Sequence, residues 1–357
     1  MYLYNLLFLS LIALQVLLTK SPTLRRQIYP LLLAFLFIFS AFRFEVGCDW
    51  TGYLYRYFTY ASLPVEAILI DPEPLWAAAS VFQAEVGLPY PWINVFSSVV
   101  FFAGAHIMAR RQPDPMAFLI LLFPILIINL PMSGIRQATA IGIMFMAFVA
   151  FSDRAMIRFV ILTIIASGFH TSALVFLLLA PLVTGHYSRG RLLLAGILAI
   201  PGILLLMSGE AGETATSRYV DTGVDAAGAG FRVGLILLTG LFFHAFLRRK
   251  WAATYPQDFR IVSVGALMML AMFALIPVST VIADRLAYYL IPIQAMMFAR
   301  VPYLPIRTEK ALKIALPYLV LVAMLVVWTT LSSHFNQCYV PYQTWIFGYP
   351  DQIRYAF

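Results

Sequence analysis

Arginines, a histidine and a few carboxylates carry the chemistry open to this chain, and they sit in short polar interruptions of apolar sequence. The first interruption is Arg43-Phe44-Glu45-Val46-Gly47-Cys48-Asp49-Trp50-Thr51-Gly52-Tyr53, where Arg43 and Asp49 bracket a glycine able to turn the chain. Tyr53, Tyr57 and Tyr60 then recur near helical spacing, the pattern of an interfacial helix with an aromatic belt. The second is Pro131-Met132-Ser133-Gly134-Ile135-Arg136-Gln137, a tight turn that puts Arg136 in the first turn of a helix. A guanidinium there adds its charge to the partial positive charge of the helix N-terminus, a combination suited to an anion. The third is His170, flanked by Ser167, Gly168, Thr171 and Ser172. Imidazole exchanges protons near neutral pH, so His170 and Asp49 are the candidate general bases, whereas His106, His186, His244 and His334 read as structural. In Asp284-Arg285-Leu286-Ala287-Tyr288-Tyr289, Arg285 begins another helix, either as an anion ligand or as half of an Asp284–Arg285 pair. The segment 208–230 sets Arg218 and Tyr219 among glycines, alanines and acids, a gate or a plain solvated connection.

Several chemistries have no footing. The chain has no C-x-x-C, H-E-x-x-H, Walker A or G-x-S-x-G motif. Asp49, Glu73 and Asp284 are of a type that holds Mg²⁺, but no ligand spacing specifies a metal, and no cofactor motif is present. Cys48 and Cys338 are the only cysteines; an oxidising compartment would allow them to pair, and the sequence alone does not bring them together.

The elements that must position these groups follow from composition. The 357 residues, 40.1 kDa, are 62% apolar and 11% charged, with a mean hydropathy of +0.87. Soluble domains hold roughly 45–50% apolar and about 25% charged residues, so water-soluble and disordered classes are excluded. The expected class is an all-α polytopic integral membrane protein. Apolar runs punctuated by charge, Pro and Gly predict about twelve spans, near 2–18, 28–42, 92–109, 116–130, 136–151, 157–169, 171–184, 192–207, 231–247, 261–276, 284–299 and 314–331. The segment 75–87 is apolar but short, and reads as a re-entrant or surface helix. One transmembrane domain over 1–357 is expected, with outer-face segments 43–91, 208–230 and 332–357.

Charge then orients the bundle. With both termini outside, 17 of the 24 basic residues and only four of the 16 acidic ones face the cytoplasm, leaving +13 inside and −5 outside. The net charge of +8 therefore describes a membrane topology and not a nucleic-acid surface. Every lysine falls inside. The outer cations are all arginine: Arg43, Arg56, Arg136, Arg218, Arg232, Arg285 and Arg354. Arginine offers a planar fork suited to phosphate; each of these is a functional ligand or an anchor paired with a lipid headgroup or carboxylate.

The motifs R-F-E-V-G-C-D-W-T-G-Y at 43–53, D-P-E-P-L at 71–75, G-I-R-Q-A-T-A at 134–140, F-H-T-S-A-L at 169–174 and D-R-L-A-Y-Y at 284–289, in this order, resemble the EpsG-like branch of the Wzy-type bacterial exopolysaccharide and O-antigen polymerases. The family often has Thr and Tyr where this chain has Cys48 and Trp50. The resemblance implies a multi-pass protein of the bacterial inner membrane that joins polyprenyl-pyrophosphate-linked oligosaccharides at the periplasmic face without a cofactor. Membrane lipids, a flippase and chain-length regulators are the implied partners. On that reading Arg136, Arg43 and Arg285 bind pyrophosphate, and His170 or Asp49 takes the proton of the attacking hydroxyl. Tyr53, Tyr219, Arg218, Glu73 and Gln137 complete the substrate contacts. A lipid-linked-oligosaccharide flippase, another polyprenyl-dependent glycosyltransferase and an O-antigen ligase are the alternatives.

Overall fold

In lipid every backbone N–H and C=O must be satisfied within its own segment, which leaves apolar runs of this length one solution, the helix. The computed structural model describes residues 2–62, 70–184 and 228–349, with isolated positions 68, 188, 190 and 193. Among these the regular structure is helical, with one isolated antiparallel bridge between Arg43 and Thr344. The helices used below are α1 (Tyr2–Leu17), α2 (Pro22–Ala41), α3 (Trp50–Ala61), α4 (Pro74–Glu85), α5 (Trp92–Ala109), α6 (Pro115–Leu122), α7 (Ile135–Ser152) and α8 (Met156–Phe169). They continue as α9 (Ala229–Phe242), α10 (Phe259–Leu275), α11 (Thr280–Arg300), α12 (Lys310–Leu331) and α13 (Ser333–Tyr339).

Among the described residues, seven helical stretches are long and apolar enough to cross a membrane: Tyr2–Lys20, Pro22–Ala41, Trp92–Ala109, Ile135–Ser152, Ala229–Thr254, Thr280–Tyr303 and Lys310–Leu331. Shorter apolar helices occupy Pro115–Ile127, Met156–Phe169, Thr171–Val183 and Phe259–Leu275. The protein is thus a multi-pass membrane protein. The expected span at 192–207 and most of the 208–230 segment, Arg218 and Tyr219 included, lie outside the described residues. The expected short helix near 75–87 is α4, whose 12 residues reach only about 18 Å, well under a bilayer core of about 30 Å. The expected seventh span is a 3₁₀ helix over Thr171–Leu179 followed by a single α-turn. Its larger rise of about 2.0 Å per residue gives a short segment extra reach.

Packing divides the chain into two compact units: Met1–Gly142 with Gly168–His170 and Ala315–Phe357, and Ile143–Ser167 with Thr171–Ile314. In the first, α5 and the start of α7 meet backbone to backbone. A Cβ on Gly104 would stand 1.8 Å from the Gly142 carbonyl oxygen, and one on Gly142 2.6 Å from that of Val100. Hydroxyls finish the seam: Ser97 Oγ donates to the Ile135 carbonyl at 2.7 Å and Thr139 Oγ1 to Ser97 Oγ at 2.9 Å. Small residues and hydroxyls of this kind hold helices together where lipid removes the hydrophobic incentive. Asn5 donates to Thr329 and Gln15 to Tyr318, both at 2.8 Å, tying α1 to α12.

Beyond α12 the chain returns as a strap over residues 42–48. Phe44 N donates to Gln343 O, Gly47 N to Cys338 O and Trp345 N to Phe42 O, at 2.9, 2.7 and 3.0 Å. A disulfide joins Cys48 to Cys338, which settles a pairing that spacing could not decide.

In the second unit α9, α10 and α11 pack together. Arg232 grips Asp284 bidentately, Nε to Oδ1 at 2.6 Å and Nη2 to Oδ2 at 2.8 Å. Asp284 therefore pairs with Arg232 instead of its neighbour Arg285, because adjacent helical residues point in different directions. A second pair, Arg300 with Asp258 at 2.6 Å, lies under the rings of Trp251 and Tyr255.

Candidate functional site

The site grows from three backbone devices in the first unit. Gly47 adopts φ +104°, and a Cβ there would fall 1.8 Å from the Met132 carbonyl oxygen, so only glycine lets the 43–49 loop lie against the turn before α7. Arg43, fully buried, fastens the same two segments: its Nε donates to the carbonyls of Val46 and Met132 at 2.8 Å each, and Nη1 to Ser40 O at 3.3 Å. Its guanidinium faces the Trp50 ring at 5.6 Å, and Nη2 has no hydrogen-bond partner among the described residues. Burial pulls the Arg43 pKa down, opposed by the surrounding tyrosines.

Glu73 is set by the second device. Asp71 Oδ1 accepts from the Glu73 N–H at 2.7 Å while Oδ2 accepts from the Tyr60 hydroxyl at 2.9 Å. Burial, then the hydrogen bond and charge of Asp71, push the Tyr60 pKa up to about 12, so Tyr60 remains a donor at neutral pH. Pro74 fills the first position of α4, where a missing N–H costs nothing. Glu73 occupies the N-cap position, yet its side chain makes no capping bond. The carboxylate is turned elsewhere.

Gly168 supplies the third device. A Cβ there would lie 2.6 Å from the Leu75 side chain, so its absence allows the end of α8 to close on the first turn of α4. The chain leaves the helix at once, and His170 stands between α8 and the 3₁₀ helix, only 6% exposed.

These devices converge on one carboxylate. Arg136 Nη1 pairs with Glu73 Oε2, and His170 Nδ1 faces the other oxygen, Oε1, at 3.7 Å. Arg136 Nε also points at the Tyr53 hydroxyl at 3.5 Å, with the guanidinium over the Tyr53 ring at 5.7 Å. The Arg136 side chain is 18% exposed against 8% for Glu73 and 7% for His170, so the guanidinium is the most accessible of the three. Asp49, exposed, accepts from Ser133 Oγ at 3.2 Å and lies one helical turn before Tyr53.

Arg136, Glu73, His170 and Tyr53, far apart in sequence, thus share one cluster, with Asp49 beside it. Tyr53 is buried in an aromatic core with Trp50, Trp76 and Tyr90, and Gln137 is buried on α7. Arg43 belongs to the scaffold beneath the loop. Arg285 lies on α11 in the second unit. Sequence reasoning missed Asp71, Tyr60, Ser133 and Gly168 as positioning groups; the D-P-E-P run and the glycine beside His170 were the signals available. Among the described residues, Cys48, His334 and Cys338 place soft donor atoms within 4.8 Å of one another, but both sulfurs are spent on the disulfide.

A multi-pass helical membrane protein with an arginine, a carboxylate and a histidine gathered at helix ends is the class that fold and site define. A family model for the EpsG family matches residues 27–344, and the chain belongs to the EpsG family. That membership ties it to exopolysaccharide biosynthesis and to polymerase-type glycosyl transfer. The match includes every residue of the cluster. Comparison with curated proteins and with solved structures returns no match.

Proposed function

We propose that the protein is a polysaccharide polymerase of the bacterial inner membrane, joining polyprenyl-pyrophosphate-linked oligosaccharide units at the extracytoplasmic face. The observation that carries this reading is Glu73 held between Arg136 and His170. Arg136 binds the pyrophosphate of the growing chain and stabilises negative charge as the anomeric C–O bond breaks, a preorganised electrostatic role. His170 takes the proton of the attacking sugar hydroxyl on Nε2, with Glu73 orienting the ring from the Nδ1 side, the division of labour of a histidine and its carboxylate in general-base catalysis. The new C–O bond forms as the lipid pyrophosphate leaves.

Asp49 borders the cluster and contacts the acceptor sugar; Tyr53 and Gln137 hold the walls of the site. The orientation rests on the charge asymmetry, with both termini outside, and a disulfide is what an oxidising outer compartment would favour. A flippase supplying the lipid-linked units and a chain-length regulator are the expected partners.

The test is the lipid-linked saccharide and polymer profile of a deletion strain carrying wild-type, Arg136→Ala or His170→Ala protein. Single capped units in place of the polymer ladder, with each variant retained in the membrane, are expected. Cytoplasmic accumulation of lipid-linked units would indicate a flippase, and free unattached polymer a ligase. Normal ladders from both variants would remove the assignment.

A further inference from the structure

We propose that Cys48, Cys338 and His334 form a redox-gated metal site, a disulfide in the oxidised protein and a three-ligand seat for a thiophilic divalent ion, Zn²⁺, in the reduced one. The two sulfurs and a ring nitrogen of His334 all lie within 4.8 Å of one another. Zinc takes thiolate sulfur at about 2.3 Å and imidazole nitrogen at about 2.0–2.1 Å, which sets tetrahedral ligands about 3.5–3.8 Å apart. Once the S–S bond is open, small side-chain rotations reach that spacing. Thiolate and imidazole together select zinc over Mg²⁺ or Ca²⁺, which take oxygen.

Local structure supplies the three ligands without help from the disulfide. His334 and Cys338 are four residues apart on α13, so they share one helix face. Ser332 Oγ caps that helix by accepting from the Phe335 N–H at 3.3 Å. Phe335 and Tyr339 stack on each other and pack edge-on against Tyr4, which leaves His334 exposed and Cys338 half-buried. Cys48 arrives on the 43–49 loop, held there by backbone bonds: Gly47 N donates to Cys338 O at 2.7 Å and Phe44 N to Gln343 O at 2.9 Å. Reduction leaves those bonds intact, so the thiols remain neighbours. Cys48 is exposed as well, so a reductant and an ion reach the site from water, and water fills the fourth position, as in open zinc sites.

The gating step is thiol–disulfide exchange with a dithiol reductant. One of its thiolates attacks a sulfur of the Cys48–Cys338 bond, its second thiol resolves the mixed disulfide, and the reductant leaves as its own disulfide, having supplied two electrons. The two protein thiols give up their protons as Zn²⁺ binds. An ion so held bridges the loop and α13 at the point the disulfide does, and the loop bearing Asp49 stays fastened in either state.

The test compares purified full-length protein in lipid nanodiscs before and after reduction by a phosphine, removed by desalting without air. Zn²⁺ is measured by competition with a chromophoric chelator. Reduced protein should take up one more Zn²⁺ per chain than oxidised protein, and that ion should slow maleimide labelling of both thiols. Cys48→Ser, treated alike, should lose it, and His334→Ala should bind it at least about tenfold more weakly. Equal uptake by oxidised and reduced protein overturns the gating, and uptake undiminished by His334→Ala overturns the three-ligand site. Should a variant fail to fold, Co²⁺ added to reduced wild-type protein decides: the spectrum of a tetrahedral thiolate site is expected, and an octahedral one refutes the proposal.

Discussion

Gly168 shows how little material separates a working arrangement from a broken one. It contributes nothing to the chemistry, yet the Leu75 side chain lies where its Cβ would be, and two residues later comes His170. Gly168→Val should push the end of α8 away from α4, at a cost of about 1–3 kcal/mol for overpacking, and abolish polymer formation while the chain still inserts. Gly168→Val combined with Leu75→Ala should recover part of both the thermal midpoint in detergent and the polymer ladder. Recovery of neither would show that the close approach is not what places His170. Residue identities were well marked in the sequence, because arginine, histidine and acid stand out against an apolar background. Their partners were not. Glu73 lies 63 residues before Arg136, and no periodicity connects them; only the fold shows that one carboxylate serves both. Arg43 makes the complementary point, since its type advertised a ligand while its surroundings make it a bracket for two loops.

At the scale of elements, the seam between α5 and α7 determines where Arg136 emerges. Ser97 is bonded to the carbonyl of Ile135, the residue before Arg136, so any shift of α7 along α5 moves the guanidinium with it. Gly104→Leu cannot be accommodated against the Gly142 backbone. It should lower the thermal midpoint by well over the effect of Ser97→Ala, for which interhelical hydrogen bonds in membranes suggest about 0.6 kcal/mol. Equal midpoints for Gly104→Leu and wild type would refute the backbone-to-backbone contact. Hydropathy located most of these helices because the length of an apolar run is a direct record of the bilayer. It could not show that the segment after His170 is 3₁₀ for nine residues, since hydrogen-bond register leaves no trace in average hydropathy. Nor could it separate Asp284 from Arg285, where adjacency in sequence concealed a pairing across helices.

For the whole molecule, the charge asymmetry and the disulfide make the same prediction by unrelated means. In intact cells, a membrane-impermeant maleimide added from outside should label Cys48 and Cys338 after mild reduction and fail to do so before it. Nonreducing electrophoresis should show a mobility difference that Cys48→Ser removes. Labelling only after the cells are opened would reverse the orientation and move the site to the cytoplasm.

The strap has a consequence for the order in which the protein comes into being. Residues 42–48 emerge from the ribosome early, but the carbonyls and N–H groups that hold them belong to residues 338–345, and the cysteines are separated by 290 positions. At about 5–20 residues per second, the first loop waits on the order of 15–60 s for its partner. A chain halted before residue 338 has the 42–48 loop but none of the backbone partners or the cysteine that hold it, so the loop bearing Asp49 takes its fixed position only late in synthesis.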